Sequence, residues 1–379
     1  MKRSVYTEDH EAFRDTVRSF FENELLPHHE EWEEAGEVPR EVWTKAGELG
    51  ILGPMVPEEY GGLGLDYGFN AIVSEETGHT GVTGFGGSIH NDIVLTYLYK
   101  YGSEDLKQKY LPKSCTGEYI GALGMSEPGA GSDLANIRTM AVKDGDEYVI
   151  NGSKIFISNG YMCDYVIIAC VTDPSAGHKG VSLIVVDTSC PGFKKGRKLK
   201  KLGMKAQDTA ELFFEDCRVP AENVLGQPGM GFIYMMQALA QERLAIAVVS
   251  AAAARSVIEQ TITYTKERKA FGKAIADFQN TQFVLADLDI KMAGVTAFVD
   301  NCIAALIDGT LTAEDASRAK VLASDTLGEV TDKCLQLHGG YGYMWEYPVC
   351  KHYADARVQR IYGGTNEIMK TIIVKEMFK

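Results

Sequence analysis

One long proline-free stretch constrains this chain more than any other. It opens near Met235 and runs through Gln241, Glu242, Arg243 and Leu244 to Lys266, Glu267, Arg268, Lys269, Ala270, Phe271 and Gly272. Rich in alanine and closed by a glycine, it predicts a single uninterrupted helix. Steps of three and four residues from Glu242 reach Ala245, Ile246, Val249 and Ala253, which sets a carboxylate at the head of an otherwise apolar stripe. Burial there disfavours the ionised form and raises the pKa, as a carboxylate that takes a proton from carbon requires. Pairing with Arg243, about 100° away around the helix, or a partly solvated stripe end is the structural alternative, and spacing does not choose between them.

The far end of the stretch carries Arg268, Lys269, Phe271 and Gly272, a cluster suited to an anionic ligand with a flat ring. Glu242 and Arg268 are 26 residues apart, roughly 39 Å at the helical rise, so one small site in one subunit cannot use both. Two functional ends imply an oligomer.

A length of 379 residues allows two or three domains. The 52 acidic residues against 38 Lys and Arg leave a net charge of −14, which argues against nucleic acid or an anionic membrane as partner. No stretch approaches the roughly 20 consecutive apolar residues of a membrane-spanning helix, and the first residues hold no apolar run, so a soluble, intracellular protein is expected. The eight cysteines, at 115, 163, 170, 190, 217, 302, 334 and 350, show no CxxC spacing and read as reduced packing residues with no metal site.

Three segments follow in order. Residues 1–118 read as helical: Phe13, Val17, Phe20, Phe21 and Leu25 recur at helical spacing up to Pro27, and a second helix runs from Pro39 to Gly50. Gly84, Gly86 and Gly87 mark either close helix packing or a channel left by missing side chains. Residues 119–228 hold short β-rich runs, Thr139–Val142, Tyr148–Ile150, Lys154–Ile157, Tyr165–Val171, Val181–Val186 and Leu212–Phe214, with turn signals at Asp144-Gly145 and Asn151-Gly152. Such runs without intervening helices suggest an antiparallel barrel or sandwich. Seven basic residues between Lys194 and Lys205 read as a solvated edge, with a docking patch as the alternative. Residues 229–379 read as an antiparallel bundle of the long helix, Thr281–Asp308, Thr312–His338 and about Asn366–Phe378.

No GxGxxG unit, P-loop, HExxH or GxSxG is present, which sets aside Rossmann dehydrogenases, P-loop enzymes, zincins and α/β-hydrolases. What remains is Met125-Ser126-Glu127-Pro128-Gly129-Ala130-Gly131-Ser132-Asp133, a glycine loop whose amides and hydroxyls can cradle a polar ligand edge. With Ile155-Phe156-Ile157-Ser158-Asn159-Gly160, Glu267 to Gly272, Gln336-Leu337-His338-Gly339-Gly340-Tyr341-Gly342 and Ile361-Tyr362-Gly363-Gly364-Thr365-Asn366-Glu367, it stands in an order that resembles the acyl-CoA dehydrogenases over essentially the whole chain. The subgroup it resembles most is the long-chain one, a reading to which Lys205–Asp216 and Gly342–Pro348 add.

The resemblance implies an α+β multidomain protein: an N-terminal helical domain, a central antiparallel β-barrel and a C-terminal four-helix bundle, assembled as a homotetramer (a dimer of dimers) with FAD between barrel, bundle and a neighbouring subunit. By the same carry-over Leu123, Met125, Ser126, Ser132, Phe156, Ser158, Thr365 and Glu367 contact the cofactor, Phe156 standing where many members have tryptophan. Arg268, Phe271, Gln279, Gln336, Gly339 and Gly340 hold its pyrophosphate and adenosine side across the dimer interface. Many members carry the catalytic base directly after the tyrosine of the C-terminal loop, where this chain has Gly363; the long-chain and isovaleryl subgroups place it at the position of Glu242. Glu367 is the nearest rival acid.

The implied reaction is α,β-dehydrogenation of a fatty acyl-CoA to a trans-2-enoyl-CoA, Glu242 taking the α-proton while hydride passes to flavin N5. By the same resemblance the Gly363 amide and a flavin ribityl hydroxyl would form the oxyanion site, Ser132 and Arg243 would meet the CoA arm, and Tyr362 would line the acyl site. The resemblance also implies that electrons leave to an electron-transfer flavoprotein. Gly86, Gly87 and Ile89 stand where the tail ends in shorter-chain enzymes, which predicts a preference for long or medium-long straight chains. The expected compartment is the cytoplasm, or the mitochondrial matrix for a processed eukaryotic form. An acyl-CoA oxidase or flavin monooxygenase of the same fold, or a catalytically silent flavoprotein, are the rival classes.

Overall fold

The computed structural model describes residues 3–379. Thr7 opens α1 (Glu8–Phe20) with a reciprocal cap, its hydroxyl accepting from the His10 amide and its backbone amide donating to Nδ1 of the His10 ring. Pro27 does not end the run. The chain continues through a π-helical turn (Phe21–Leu25) and a 3₁₀ turn (Leu26–His28), where proline falls in the first turn and forfeits no bond, into α2 (His29–Ala35). The Pro39–Gly50 helix is α3 (Arg40–Glu48). Then come α4 (Tyr67–Thr80), a π-helix (Ile89–Val94), α5 (Leu95–Tyr101) and α6 (Glu104–Cys115). Arg14 ties α1 to α4 through Glu75 at 2.7 Å and Glu76 at 3.2 Å.

The glycines before the π-helix are contact points, and the channel reading is corrected there. A Cβ on Gly84 would lie 2.5 Å from that of Ala206, and one on Gly86 would lie 2.1 Å from Oδ1 of Asn159. The missing side chains let the helical segment close on the sheet.

The middle of the chain forms one seven-stranded sheet: β1 (Gly121–Gly124), β2 (Met140–Asp144), β3 (Glu147–Ser158), β4 (Tyr165–Val171), β5 (Val181–Asp187), β6 (Phe193–Lys198) and β7 (Thr209–Pro220). Its order is β1-β4-β2-β3-β7-β6, with β5 on β4. Most pairs are antiparallel, as expected, but β1 and β2 both run parallel to β4. Asp144-Gly145 is the predicted β2–β3 turn, whereas Asn151-Gly152 lies inside β3 at a shift of register, so two predicted strands are one. There the Asn151 side chain bonds Asp216 of the neighbouring strand at 3.0 Å. β6 is the lysine-rich edge, its charges met by Glu215, Glu211 and Glu37.

The bundle comprises α7 (Gly231–Glu267), a two-stranded hairpin of β8 (Lys269–Ala270) and β9 (Lys273–Ala274), α8 (Gln279–Ile307), α9 (Ala313–His338), the unanticipated α10 (Pro348–Ala356), and α11 (Asn366–Met377). α7 starts earlier than predicted and stops at Glu267, because Arg268 is extended and the basic cluster turns back in the hairpin. Gln241 to Ala245 are all buried, more than a full turn, so α7 is a central helix and not a one-sided stripe. Its alanines let α4, α8 and α9 close around it. α7 and α8 are each long and apolar enough to cross a membrane. Polar residues interrupt the apolar runs of both, and α7 is packed inside the bundle.

Candidate active site

Glu242 lies in the fourth turn of α7, 6% exposed, and its Oε1 accepts from the hydroxyl of Tyr97 on α5 at 3.0 Å. Burial raises its pKa to about 7, against the opposing pull of the Tyr97 hydrogen bond and the charge of Arg243. Among the described residues it makes no ion pair with Arg243, so the pairing alternative is not what the fold adopts. Arg243 is itself buried, with no hydrogen-bond partner for its Nε among the described residues, and burial lowers its pKa.

The segment 361–365 closes on the same stretch of α7. Gly363 has φ +64, and a Cβ there would lie 2.4 Å from Cδ1 of Ile246, one turn beyond Glu242. Half-buried Tyr362 donates to Oε1 of Gln359 at 2.6 Å. Thr365 caps α11, accepting from the Ile368 amide at 3.3 Å. Glu367 is exposed and its pKa is lowered by hydrogen bonds to its own backbone N–H and Thr365, unlike Glu242. Beneath the segment Lys320 is fully buried, donating to the Gly364 carbonyl at 2.9 Å and Oδ1 of Asn366 at 2.8 Å.

On the sheet, Leu123, Met125 and Ser126 end β1 and begin the glycine loop, which holds exposed Ser132. Buried Lys154 fastens this loop to β3, donating to Met125 O at 3.2 Å and Glu127 Oε1 at 2.8 Å. The other donors to Glu127 are the amides of Arg138 and Thr139. A register shift between Lys154 and Ile157 turns Phe156 outward at φ +62 and 66% exposure, with Ser158 ending the strand. A large ring held out in left-handed backbone gains nothing from the core and fits a flat ligand stacked on it. β1 is tied to the π-helix, where the Gly121 amide donates to Nδ1 of His90 at 3.2 Å.

The remaining predicted cofactor residues gather at the opposite end of α7. Tyr264 stacks on His338 at 4.1 Å, so the ends of α7 and α9 meet. Arg268 lies 5.3 Å over the Tyr341 ring. Phe271, 96% exposed at φ +51, tops the hairpin, and Gln279, Gln336, Gly339 and Gly340 are exposed as well. Glu242 and this exposed cluster therefore lie towards opposite ends of α7. An exposed guanidinium, glycines with open space and a bare aromatic suit an anionic, ring-bearing group such as FAD.

Sequence reasoning missed Tyr97, Lys320, Lys154 and a role for Glu127. Two left a signal: Lys320 sits on the stripe of Ala316, Ala319, Ala323 and Leu327, and Lys154 alternates inward with Tyr148 and Ile150. A lysine in an apolar pattern demands a buried partner. Tyr97, among Tyr99 and Tyr101, left none.

Helical segments thus precede and follow a mainly antiparallel sheet that carries the bare aromatic ring of Phe156, a surface suited to a flat ligand. Comparison gives the family. The models for the N-terminal, middle and C-terminal domains of acyl-CoA dehydrogenase match residues 7–118, 122–217 and 229–378. The chain belongs to the acyl-CoA dehydrogenases, FAD-dependent oxidoreductases acting on CH–CH groups. It is 50% identical to the mitochondrial long-chain specific acyl-CoA dehydrogenase of Sus scrofa over 99% of this chain and 88% of that protein. It is 39% identical to a short-chain specific acyl-CoA dehydrogenase of Clostridium acetobutylicum over 98% of this chain and 99% of that one. The crystal structure of an acyl-CoA dehydrogenase from Geobacillus kaustophilus superposes with TM-score 0.97 at 47% identity, over 99% of this chain and 100% of that one.

Proposed function

We propose that this enzyme dehydrogenates long or medium-long straight-chain acyl-CoAs, with Glu242 as the base. The observation that carries the reading is the buried Glu242 carboxylate, unpaired with Arg243, one turn of α7 from Ile246, on which the Gly363 segment packs. A pKa raised to about 7 makes it basic enough to remove a weakly acidic α-proton yet ionised near neutrality. FAD, when bound, supplies the acceptor of the β-hydride. Leu123, Met125, Ser126, Ser132, Phe156, Ser158, Thr365 and Glu367 would hold it from one subunit, and Arg268, Phe271, Gln279, Gln336, Gly339 and Gly340 from its neighbour. The Gly363 amide would stabilise charge on the thioester oxygen. Ser132 and Arg243 would contact the CoA arm, and Tyr362 would line the acyl slot.

Chain length rests on the likeness to the pig long-chain enzyme, because Gly86 faces Asn159 and opens no slot in that direction. We further propose a homotetramer that passes electrons to an electron-transfer flavoprotein, in the cytoplasm or, for a processed eukaryotic form, the mitochondrial matrix. The test is anaerobic titration with acyl-CoAs of graded length, following flavin absorbance. Wild type bleaches, with affinity growing by about 0.8 kcal/mol per buried methylene. Glu242→Gln keeps the flavin and binds acyl-CoA without bleaching; normal bleaching by this variant, or an optimum at butyryl-CoA, overturns the corresponding part of the reading.

A further inference from the structure

We infer that Tyr97 is a positioning residue for Glu242, holding one carboxylate oxygen so that the other is presented to the substrate; this rests on the proposed role of Glu242. The Tyr97 hydroxyl donates to Oε1 at 3.0 Å, and no second protein donor among the described residues reaches either oxygen of the carboxylate. The residue before it is gripped by the same segment. Nε2 of Gln241 donates to the Asp92 carbonyl at 3.1 Å and to Oγ1 of Thr96 at 3.0 Å. Two successive side chains of α7 are thus fixed by the π-helix and α5, one through a backbone acceptor and one through a phenol. This restricts both the rotation of α7 and the rotamer of Glu242.

The contact is chemically directed as well as steric. A phenol donor stabilises the ionised carboxylate, offsetting part of the cost of burying it. The other groups around the pair do less. Arg243 on α7 acts through its charge without contact, and Lys320 on α9 faces Arg243. Tyr101 stacks outward, its ring 6.0 Å from that of Tyr97. The Asp92 carboxylate turns to Asn70 at 2.8 Å and Ser74 at 3.3 Å on α4. The Tyr362 hydroxyl is spent on Gln359. Burial and the neighbouring Glu242 keep the Tyr97 phenol protonated, so it stays a donor at every working pH.

The test is the anaerobic rate of flavin reduction at saturating acyl-CoA as a function of pH. It compares FAD-loaded wild type, Tyr97→Phe, and enzyme carrying 3-fluorotyrosine at position 97, a more acidic phenol of nearly the same shape. Tyr97→Phe moves the acid limb upward and slows reduction about ten- to hundredfold below it, the worth of a hydrogen bond to a charged acceptor. The fluorinated side chain moves the limb downward, and acyl-CoA affinity stays within about twofold in both. A limb that does not move, or a rate loss equal at every pH, overturns the positioning role. If Tyr97→Phe fails to hold FAD, the fluorinated enzyme alone decides by the same criterion. Glu242→Gln separates the two readings: reduction at the wild-type rate refutes the base, whereas an inert variant beside unmoved limbs refutes Tyr97 alone.

Discussion

A methyl group on Gly363 would stand 2.4 Å from Cδ1 of Ile246, one turn along α7 from Glu242. Gly363 also has φ +64, so alanine meets a backbone penalty and a collision together. Gly363→Ala is expected to cost about 1–3 kcal/mol of stability. By shifting the segment off α7 it should also lower kcat more than it lowers flavin content. Thermal unfolding with and without FAD, alongside steady-state kinetics, separates these effects.

Glu242 links activity to stability through pH. Its folded pKa, about 7, lies above the ordinary 4.5. Below the ordinary value both states hold the proton; as pH rises the unfolded chain releases it first, and the folded state loses stability until pH passes about 7. Glu242→Gln lacks this loss. Its stability relative to wild type should therefore climb by roughly 2.5 kcal/mol between about pH 5 and pH 8. Urea unfolding at the two pH values measures it, and a constant difference contradicts a buried, shifted carboxylate. In the wild type, kcat/KM should fall on the acid side of about pH 7.

The Lys154–Glu127 pair is the root of the glycine loop. Lys154 is 1% exposed and supplies a charge at 2.8 Å to a carboxylate otherwise met only by backbone amides. Lys154→Met leaves that buried carboxylate uncompensated, at about 3–5 kcal/mol. The loop of Met125, Ser126 and Ser132 should then hold FAD less tightly, seen as faster loss of flavin fluorescence quenching on dilution.

How much of this was legible follows the physics of each feature. The order helices, sheet, helices could be read because periodicity changes from 3.6 to 2 and back. β4 could be placed to the residue, since Tyr165–Val171 is a continuous apolar run. The single strand β3 could not, because Asn151-Gly152 carries the chemistry of a tight turn and only pairing with β7 keeps it extended. Pro27 and Gly86 misled for a related reason: whether proline stops a helix, or a missing Cβ opens a space, depends on what lies opposite. Glu242 was legible as an odd charge in an apolar pattern. Tyr97 was not, because its partner is 145 residues away in sequence.

The separation of Glu242 from the Arg268–Phe271 end leads to a test of assembly. One rigid helix holds them roughly 39 Å apart, and Phe271 is 96% exposed, its ring set edge-on to that of Phe278. If each FAD is completed by the neighbour, a Glu242→Gln subunit still offers a sound Arg268 end, and an Arg268→Glu subunit still offers a sound base. Each variant alone should be inactive, the first for want of a base and the second for want of cofactor. Unfolded together and refolded with FAD, half of randomly paired dimers are mixed, and each mixed dimer has one intact site, so activity should return to roughly a quarter of wild type. If both ends served the same subunit's site, every site in the mixture would carry one lesion and no activity would return. Measuring the regained rate against the mixing ratio, which should peak at equal amounts, distinguishes a shared site from leakage of either parent.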